Sequence, residues 1–169
     1  LSTPKCLEIM TNYLIQKNDN ADQFVNKGKV AFISFSVLSN SNTSVFREFC
    51  KNQNLINKLI DVFNKNSSEY DPAKGYVGEI FKSWLKSNNE NIDYLINLLK
   101  SNFKKLVLTL IHNLGVSTGQ IISCIANTTL PKLAEEKQQL FDYLLFYFLN
   151  CSEYKSRNKE TENEAINLL

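Results

Sequence analysis

The clearest structural pattern in the chain lies in the sequence Val77-Gly78-Glu79-Ile80-Phe81-Lys82-Ser83-Trp84-Leu85. Its large apolar residues follow Val77 at offsets of three, four, seven and eight positions, which is the spacing of one face of an α-helix. Asp71-Pro72 precedes the stretch, and a capping residue followed by proline is a common helix start. We therefore predict a core-facing helix that starts at Asp71-Pro72 and buries Trp84 between neighbouring helices.

The same helical spacing recurs on both sides of this stretch and predicts about ten helices in all. The first starts at Thr3-Pro4, the third is capped by Thr43, and the fourth begins near Gln53, because Thr and Pro are typical of helix starts. Gly115 is expected to end the seventh helix as its C-cap. The helices predicted after Leu85 cover Ile92–Leu99, Phe103–Leu114, Ser117–Ile125, Pro131–Phe148 and Glu160–Leu169.

Two of these helices are defined by apolar residues at helical spacing. The second helix is defined by Val30, Ile33, Val37 and Leu38. The long helix that starts at Pro131 carries Leu140, Phe141, Leu144, Leu145 and Phe148. Because both sets have helical rather than alternating offsets, the predicted fold class is all-α.

The composition suits one helical domain over residues 1–169. Hydrophobic residues make up 43% of the chain, which is enough for a sizeable core. With 5 Gly and 3 Pro, the chain has few of the turn residues that a β-rich fold needs. Because the sequence starts at Leu1 rather than at Met, we expect it to be a fragment of a larger protein.

Charge and cysteine content argue against several classes of partner. The 19 Lys and Arg nearly balance the 17 Asp and Glu, which argues against nucleic-acid binding. The longest apolar run, Leu140–Leu149, is too short for a membrane span and is interrupted by Asp142. With no CxxC pair and His112 as the single histidine, we expect no metal site and no cofactor. The 4 cysteines suit reduced thiols in a cytoplasmic or nuclear protein.

Two short stretches of the chain have similar sequences, which indicates repeated helical units. Leu55-Ile56-Asn57-Lys58-Leu59 is similar to Leu95-Ile96-Asn97-Leu98-Leu99, and Phe63 and Phe103 follow at the same offset. The two sequences lie forty positions apart, a period that suits the two- or three-helix units of armadillo and HEAT arrays. We therefore predict an armadillo/HEAT-like α-solenoid, with an irregular helical bundle as the alternative.

Three stretches of the chain resemble the SAPS-domain family, the Sit-four-associated proteins that include regulatory subunits of protein phosphatase 6. They run from Ala31 to Phe63, from Val77 to Leu85 and from Asn89 to Ser117, in the family's order. After Gly115 the family has an acidic residue in an apolar run, which is missing from Thr118–Cys124 of this chain. The resemblance implies an armadillo-like scaffold that docks a Ser/Thr phosphatase catalytic subunit, and it carries over no individual contact residue.

No group of residues predicts catalysis. His112 has no adjacent Ser or Cys that it could activate as a general base. Glu135-Glu136 lies among lysines, which suits a solvated helix face with local ion pairs. Gly75 and Gly78 do not follow a strand, as the glycines of a phosphate-binding loop would. We therefore expect no catalytic and no cofactor-binding residues, and a protein that is not an enzyme.

The predicted functional surface is a groove that binds another protein. In a solenoid, one helix of each unit lines a concave groove. Asn side chains on such a groove can hydrogen-bond an extended peptide, and the lysines around Lys104 can attract an acidic segment. If the fourth and seventh helices line it, the partner-binding residues exposed there are Asn57, Lys58, Asp61, Lys104, Lys105 and Thr109.

Three functions remain open from the sequence. The first is a protein-binding helical scaffold, such as a regulatory subunit that docks a phosphatase. The second is a helical-bundle enzyme or small-ligand carrier with a buried apolar pocket. The third is an RNA-binding helical repeat, against which the balanced charge argues.

Overall fold

The computed structural model describes residues 3–16, 21–41, 43–86, 92–128 and 131–150. Within these ranges the chain is helical and contains no strand, so the predicted all-α class is confirmed. Short 3₁₀ turns cover Val62–Asn64, Ser68–Tyr70 and Pro131–Leu133. The eight α-helices of the described ranges are α1 (Pro4–Leu14), α2 (Ala21–Leu38), α3 (Ser44–Cys50), α4 (Gln53–Asp61), α5 (Asp71–Lys86), α6 (Ile92–His112), α7 (Val116–Ala126) and α8 (Ala134–Asn150).

Side-chain caps define the starts of the early helices. The hydroxyl of Thr3 accepts a hydrogen bond from the Cys6 amide at 3.4 Å, with proline at the first position of α1. Thr43 caps α3 in the same way at 3.2 Å. Asn52 caps α4 at 3.3 Å through its side-chain oxygen. The starts predicted at Thr3-Pro4 and Thr43 are therefore confirmed, because these side chains satisfy amides that have no partner within the helix.

The described ranges hold eight helices rather than ten, and the difference has two causes. The predicted sixth and seventh helices form one continuous helix, α6, which runs through the polar residues 100–102. The side-chain amide of Asn102 donates to the Leu98 carbonyl at 2.8 Å within α6. This polar residue therefore does not interrupt the helix. The predicted helix Glu160–Leu169 lies outside the described residues.

Gly115 starts a helix instead of ending one. It is the N-cap of α7, with an extended backbone rather than the left-handed conformation of a glycine C-cap. The Thr118 hydroxyl accepts a hydrogen bond from the Gly115 amide at 2.8 Å, as in a capping box. The C-cap prediction was wrong because Gly115 lies three residues after the end of α6 and directly before the start of α7.

Helices α2, α5 and α7 are neighbours in one row. Phe35 of α2 contacts Tyr76 of α5 with ring centroids 5.3 Å apart, and Ser83 lies near the end of α2, donating to the Ser39 carbonyl at 2.9 Å. Lys82 of α5 donates to Gln120 of α7 at 3.0 Å, and Gly78 lies against Ser117. Residue numbers increase in the same direction on both helices of each pair, so these helices run parallel.

Helices α4, α6 and α8 form a second row. Gln53 and Asn64, at the two ends of the α4 region, hydrogen-bond Asn102 and Asn113 respectively. Lys100 of α6 lies 3.7 Å from Glu136 of α8, and the His112 and Tyr147 rings are 6.2 Å apart further along both helices. The helices of this row therefore also run parallel.

An aromatic cluster holds α3 against α5 in the core. The Trp84 ring is fully buried and lies 5.2 Å from Phe46, 5.7 Å from Phe49 and 5.5 Å from Phe81, between ring centroids. Two of the three contacts are edge-on. This arrangement stabilises aromatic pairs in addition to the gain from burying their surface. The predicted burial of Trp84 is confirmed.

The apolar residues that define two of the predicted helices are partly exposed. On α2, Ile33 is 60% exposed, and within residues 28–38 the buried positions are Ala31, Ser34 and Leu38. On α8, Leu140 and Leu144 are buried, whereas Leu145 is 58% exposed. The reason on α8 is that it contacts α6 and α7 on one side, so a broad stripe cannot be covered across its full width.

Candidate docking face

A line of hydrogen-bonded polar side chains follows the seam between α4 and α6. The Asn102 amide donates to Gln53 at 3.3 Å, and the Gln53 amide donates back to Asn102. The Lys105 ammonium donates to Asn57 at 3.0 Å and lies 2.8 Å from Asp61. Asn113 donates to Asn64 at 3.0 Å. We call this set the polar seam: Gln53, Asn57, Asp61 and Asn64 on one side, and Asn102, Lys105 and Asn113 on the other.

The local fold places these side chains on one surface because the apolar and polar residues of α4 occupy different faces of the helix. Leu55, Ile56, Leu59 and Ile60 are buried. Asn57 and Asp61, one helical turn apart, are then left at the rim of the buried stripe. Lys105 and Asp61 keep 40% and 50% of their side chains exposed, so the seam is accessible from solvent.

The predicted partner-binding residues divide into three groups. The structure brings Asn57, Asp61 and Lys105 together in the polar seam. Lys104 is exposed on α6, but as the preceding residue of the same helix it lies on a different side from Lys105. Lys58 instead faces α1, where it lies 3.1 Å from Glu8 and donates to Asn12.

Thr109 is buried, so its predicted exposure was wrong. The reason is that the turn Val62–Asn64 packs against α6, so less of the surface of α6 is open to solvent. The Thr109 carbonyl accepts a hydrogen bond from Asn113 at 2.9 Å, which ties the backbone of Thr109 to the seam.

Sequence reasoning missed Gln53, Asn64, Asn102 and Asn113. Their spacing was visible, because residues 53, 57, 61 and 64 share one helical face beside the apolar stripe. What spacing cannot show is the partner of each side chain, since Asn57 and Lys105 lie 48 positions apart.

Other candidate chemistry gains no support from the geometry. His112 is exposed, with Tyr147 against the edge of its ring. Burial raises the pKa of the Cys50 thiol to about 12, which keeps it protonated and poorly nucleophilic near neutral pH. Among the described residues, no three His, Cys, Asp or Glu side chains cluster as metal ligands would.

The predicted solvated face at Glu135-Glu136 is correct for Glu135 and wrong for Glu136. Glu135 is exposed, whereas Glu136 is 7% exposed and faces Lys100 of α6. The start of α8 packs against α6, which covers Glu136 but leaves its neighbour in solvent.

None of the described helices is both long and apolar enough to cross a lipid bilayer. Comparison of the chain with protein-family models, with curated proteins and with solved structures finds no match. Any function assigned to the chain must therefore be argued from the fold and from the polar seam.

Proposed function

We propose that this chain is a protein-binding scaffold of the armadillo or HEAT type, and that its polar seam docks an acidic, extended segment of a partner protein. The supporting feature of the fold is that helices two or more apart in sequence run parallel and side by side in two rows. Residues that pair between them are separated by 38 positions at Lys82–Gln120 and by 48 at Asn57–Lys105. Separations of this size are typical of the repeating units of a helical solenoid.

The observation that carries the binding proposal is the polar seam itself. Its amides hold each other in place, so an incoming peptide meets donors and acceptors that are already oriented. Asn102 and Asn113 use both of their side-chain N–H donors within the fold. Asn57 and Asn64 accept hydrogen bonds through their oxygens, so their N–H donors leave capacity for the backbone of an extended peptide.

The charge of the seam favours an acidic segment. Asp61 offsets the charge of Lys105, while Lys104 adds a second ammonium group on the neighbouring, exposed side of α6. Lys104, Lys105 and Asp61 together carry one net positive charge, which attracts carboxylates of a partner and repels lysine-rich segments.

The resemblance to the SAPS-domain family supports a specific kind of partner, the catalytic subunit of a Ser/Thr protein phosphatase. With that partner the chain would act as a regulatory subunit rather than as an enzyme. A cytoplasmic or nuclear location is part of the same proposal.

The test is capture of partners from a native lysate by the unaltered chain and by two double variants, followed by mass spectrometry. The seam variant is Lys104→Ala with Lys105→Ala, and the matched control is Lys65→Ala with Lys86→Ala, which removes two exposed lysines elsewhere. We expect one protein set, including a phosphatase catalytic subunit, to be captured by the unaltered chain and the control and lost by the seam variant. Equal capture by both variants would remove the seam from the proposal, and no enriched protein would argue against a scaffold.

A further inference from the structure

Asp61 is the acidic member of the polar seam, and Lys105 is its basic member. The Asp61 carboxylate lies 2.8 Å from the Lys105 ammonium, which also donates to Asn57 at 3.0 Å. Half of the Asp61 side chain is exposed, so the pair lies at the surface that a partner would meet. The cation of the seam is therefore already paired with an acid of the same chain.

The position of Asp61 brings no local benefit to α4. Asp61 is the last residue of that helix, where the partial negative charge of the helix end disfavours an acid. It also lies at the N-cap position of the turn Val62–Asn64, but its side chain forms no capping hydrogen bond there. The contact that the described structure shows for this carboxylate is the one with Lys105.

This ion pair affects how an acidic segment can dock. The charges of Asp61 and Lys105 cancel, and Lys104 lies on a different side of α6. An ammonium group has three N–H donors, so an incoming carboxylate can reach Lys105 while Asp61 is still in place. Two carboxylates at one ammonium group repel each other, and the half-exposed Asp61 side chain can be hydrated once it is released.

We propose that Asp61 is an internal competitor for the acid of the partner: it holds Lys105 in the free chain and is released to water when the acidic segment docks. This inference rests on the proposed docking function and adds the residue that limits its strength. Because an exposed ion pair contributes little free energy, Asp61 lowers the affinity without closing the site.

A purely structural ion pair predicts the opposite effect. If Asp61 served to orient Lys105 for the partner, its removal would leave the ammonium group less well placed and would weaken docking. If Asp61 competes with the partner, its removal frees the ammonium group and strengthens docking. The direction of the change in affinity therefore separates the two roles.

The other row of helices provides a matched control. Lys82 of α5 contacts one carboxylate and one primary amide, as Lys105 does, with Glu79 at 2.6 Å and Gln120 at 3.0 Å. Glu79→Gln removes one negative charge from such an ion pair outside the seam, just as Asp61→Asn does within it. A gain that came only from the net charge of the chain would appear in both variants.

The test measures binding of two synthetic peptides to the full 169-residue chain by fluorescence anisotropy. One peptide carries a run of glutamates in a Gly-Ser background, and the matched peptide has glutamines at the same positions. The proteins are the unaltered chain, Asp61→Asn, Glu79→Gln, and Asp61→Asn combined with Lys105→Met. Thermal melts establish that each variant is folded.

We expect Asp61→Asn to bind the glutamate peptide about two- to fivefold more tightly than the unaltered chain does, with binding of the glutamine peptide unchanged. Glu79→Gln should bind both peptides as the unaltered chain does. The combined variant should lose the preference for glutamate, because the gain requires the Lys105 ammonium group.

Two kinds of failure are distinguishable. If the unaltered chain prefers the glutamate peptide but Asp61→Asn binds it equally or more weakly, the competitor is excluded and the docking function stands. An equal gain in Glu79→Gln would likewise overturn the competitor alone. If neither the unaltered chain nor Asp61→Asn prefers the glutamate peptide, both the competitor and the acidic docking function are excluded.

Discussion

The indole N–H of Trp84 donates a 2.9 Å hydrogen bond to the carbonyl of Leu38, the last residue of α2. The carbonyls of the last helical turn have no partner within their own helix, so this bond satisfies a group that burial would otherwise leave unpaired. Trp84 thus fills the core with its ring and also closes the end of α2. The two contributions can be separated by mutation.

Trp84→Ala should lower the free energy of unfolding by about 3–5 kcal/mol, as expected for deletion of a large buried aromatic side chain. Trp84→Phe retains most of the ring contacts with Phe46, Phe49 and Phe81 but leaves the Leu38 carbonyl unpaired, so it should cost about 1–3 kcal/mol. Urea unfolding followed by circular dichroism measures both. Equal losses in the two variants would show that the hydrogen bond, and not the ring packing, dominates.

The helix around Trp84 was predictable because its signals are local. Asp71-Pro72 marks its start, and its apolar residues repeat without interruption. The continuity of α6 was not predictable, because the polar residues 100–102 have the composition of a loop between two helices. In the structure Lys100 and Ser101 lie on the exposed side, and Asn102 is paired with Gln53 of another helix.

The two similar sequences also show what cannot be predicted from sequence alone. They align Asn57 with Asn97, whereas in the fold Asn57 pairs with Lys105, about two turns further along α6. Similar helix sequences indicate repeated units, but the register between rows depends on which side chains pack together. The polar seam was therefore predicted as a face, with three of its seven residues and without its pairings.

Gly75 and Gly78 lie one turn apart on α5 but in different surroundings. A methyl group at Gly75 would meet no atom within 4 Å, so Gly75→Ala should stabilise the chain by about 0.5–1 kcal/mol through the helix preference of alanine. At Gly78 the same group would lie 3.1 Å from the Ser117 side chain, where α5 and α7 approach closely. Gly78→Ala should gain less than Gly75→Ala, and Gly78→Leu should cost about 1–3 kcal/mol. Thermal melts decide the order, and identical gains at both alanine variants would contradict the close approach.

Lys104→Ala combined with Lys105→Ala should leave stability within about 0.5 kcal/mol, since both side chains are exposed and surface ion pairs contribute little. The measurement is urea unfolding at low and high salt. A loss above about 2 kcal/mol would mean that the Lys105 contacts with Asn57 and Asp61 hold α4 against α6, and reduced partner capture could then reflect unfolding.

The partly buried thiol of Cys50 predicts a specific loss of stability at alkaline pH. Its pKa rises from 9.0 to about 12 in the folded chain. Between these values the unfolded chain loses a proton that the folded chain keeps, so the free energy of unfolding falls as pH rises. The slope approaches about 1.4 kcal/mol per pH unit between these values, and the effect fades below pH 9. Urea unfolding at pH 8 and at about pH 10.5 should show a larger fall for the unaltered chain than for Cys50→Ala. Parallel falls would contradict the burial of the thiol.

Glu136 is the clearest case of a polar group that the described fold does not fully satisfy. One carboxylate oxygen lies 3.7 Å from the Lys100 ammonium, and the other is buried without a hydrogen-bond partner among the described residues. A buried ion pair that is incompletely hydrogen-bonded is often no better than an apolar contact of the same volume. Glu136→Met should therefore leave the free energy of unfolding unchanged or raise it by about 1–2 kcal/mol.

The control is a double-mutant cycle with Lys100→Met. Removal of Lys100 alone should destabilise the chain, because it takes the nearest cation from a buried carboxylate. In the Glu136→Met background the same substitution should have almost no effect, since no charge then remains to be compensated. Urea unfolding of the four proteins gives the coupling. A loss of more than about 1 kcal/mol in Glu136→Met alone would show that the carboxylate forms a net stabilising contact between α8 and α6.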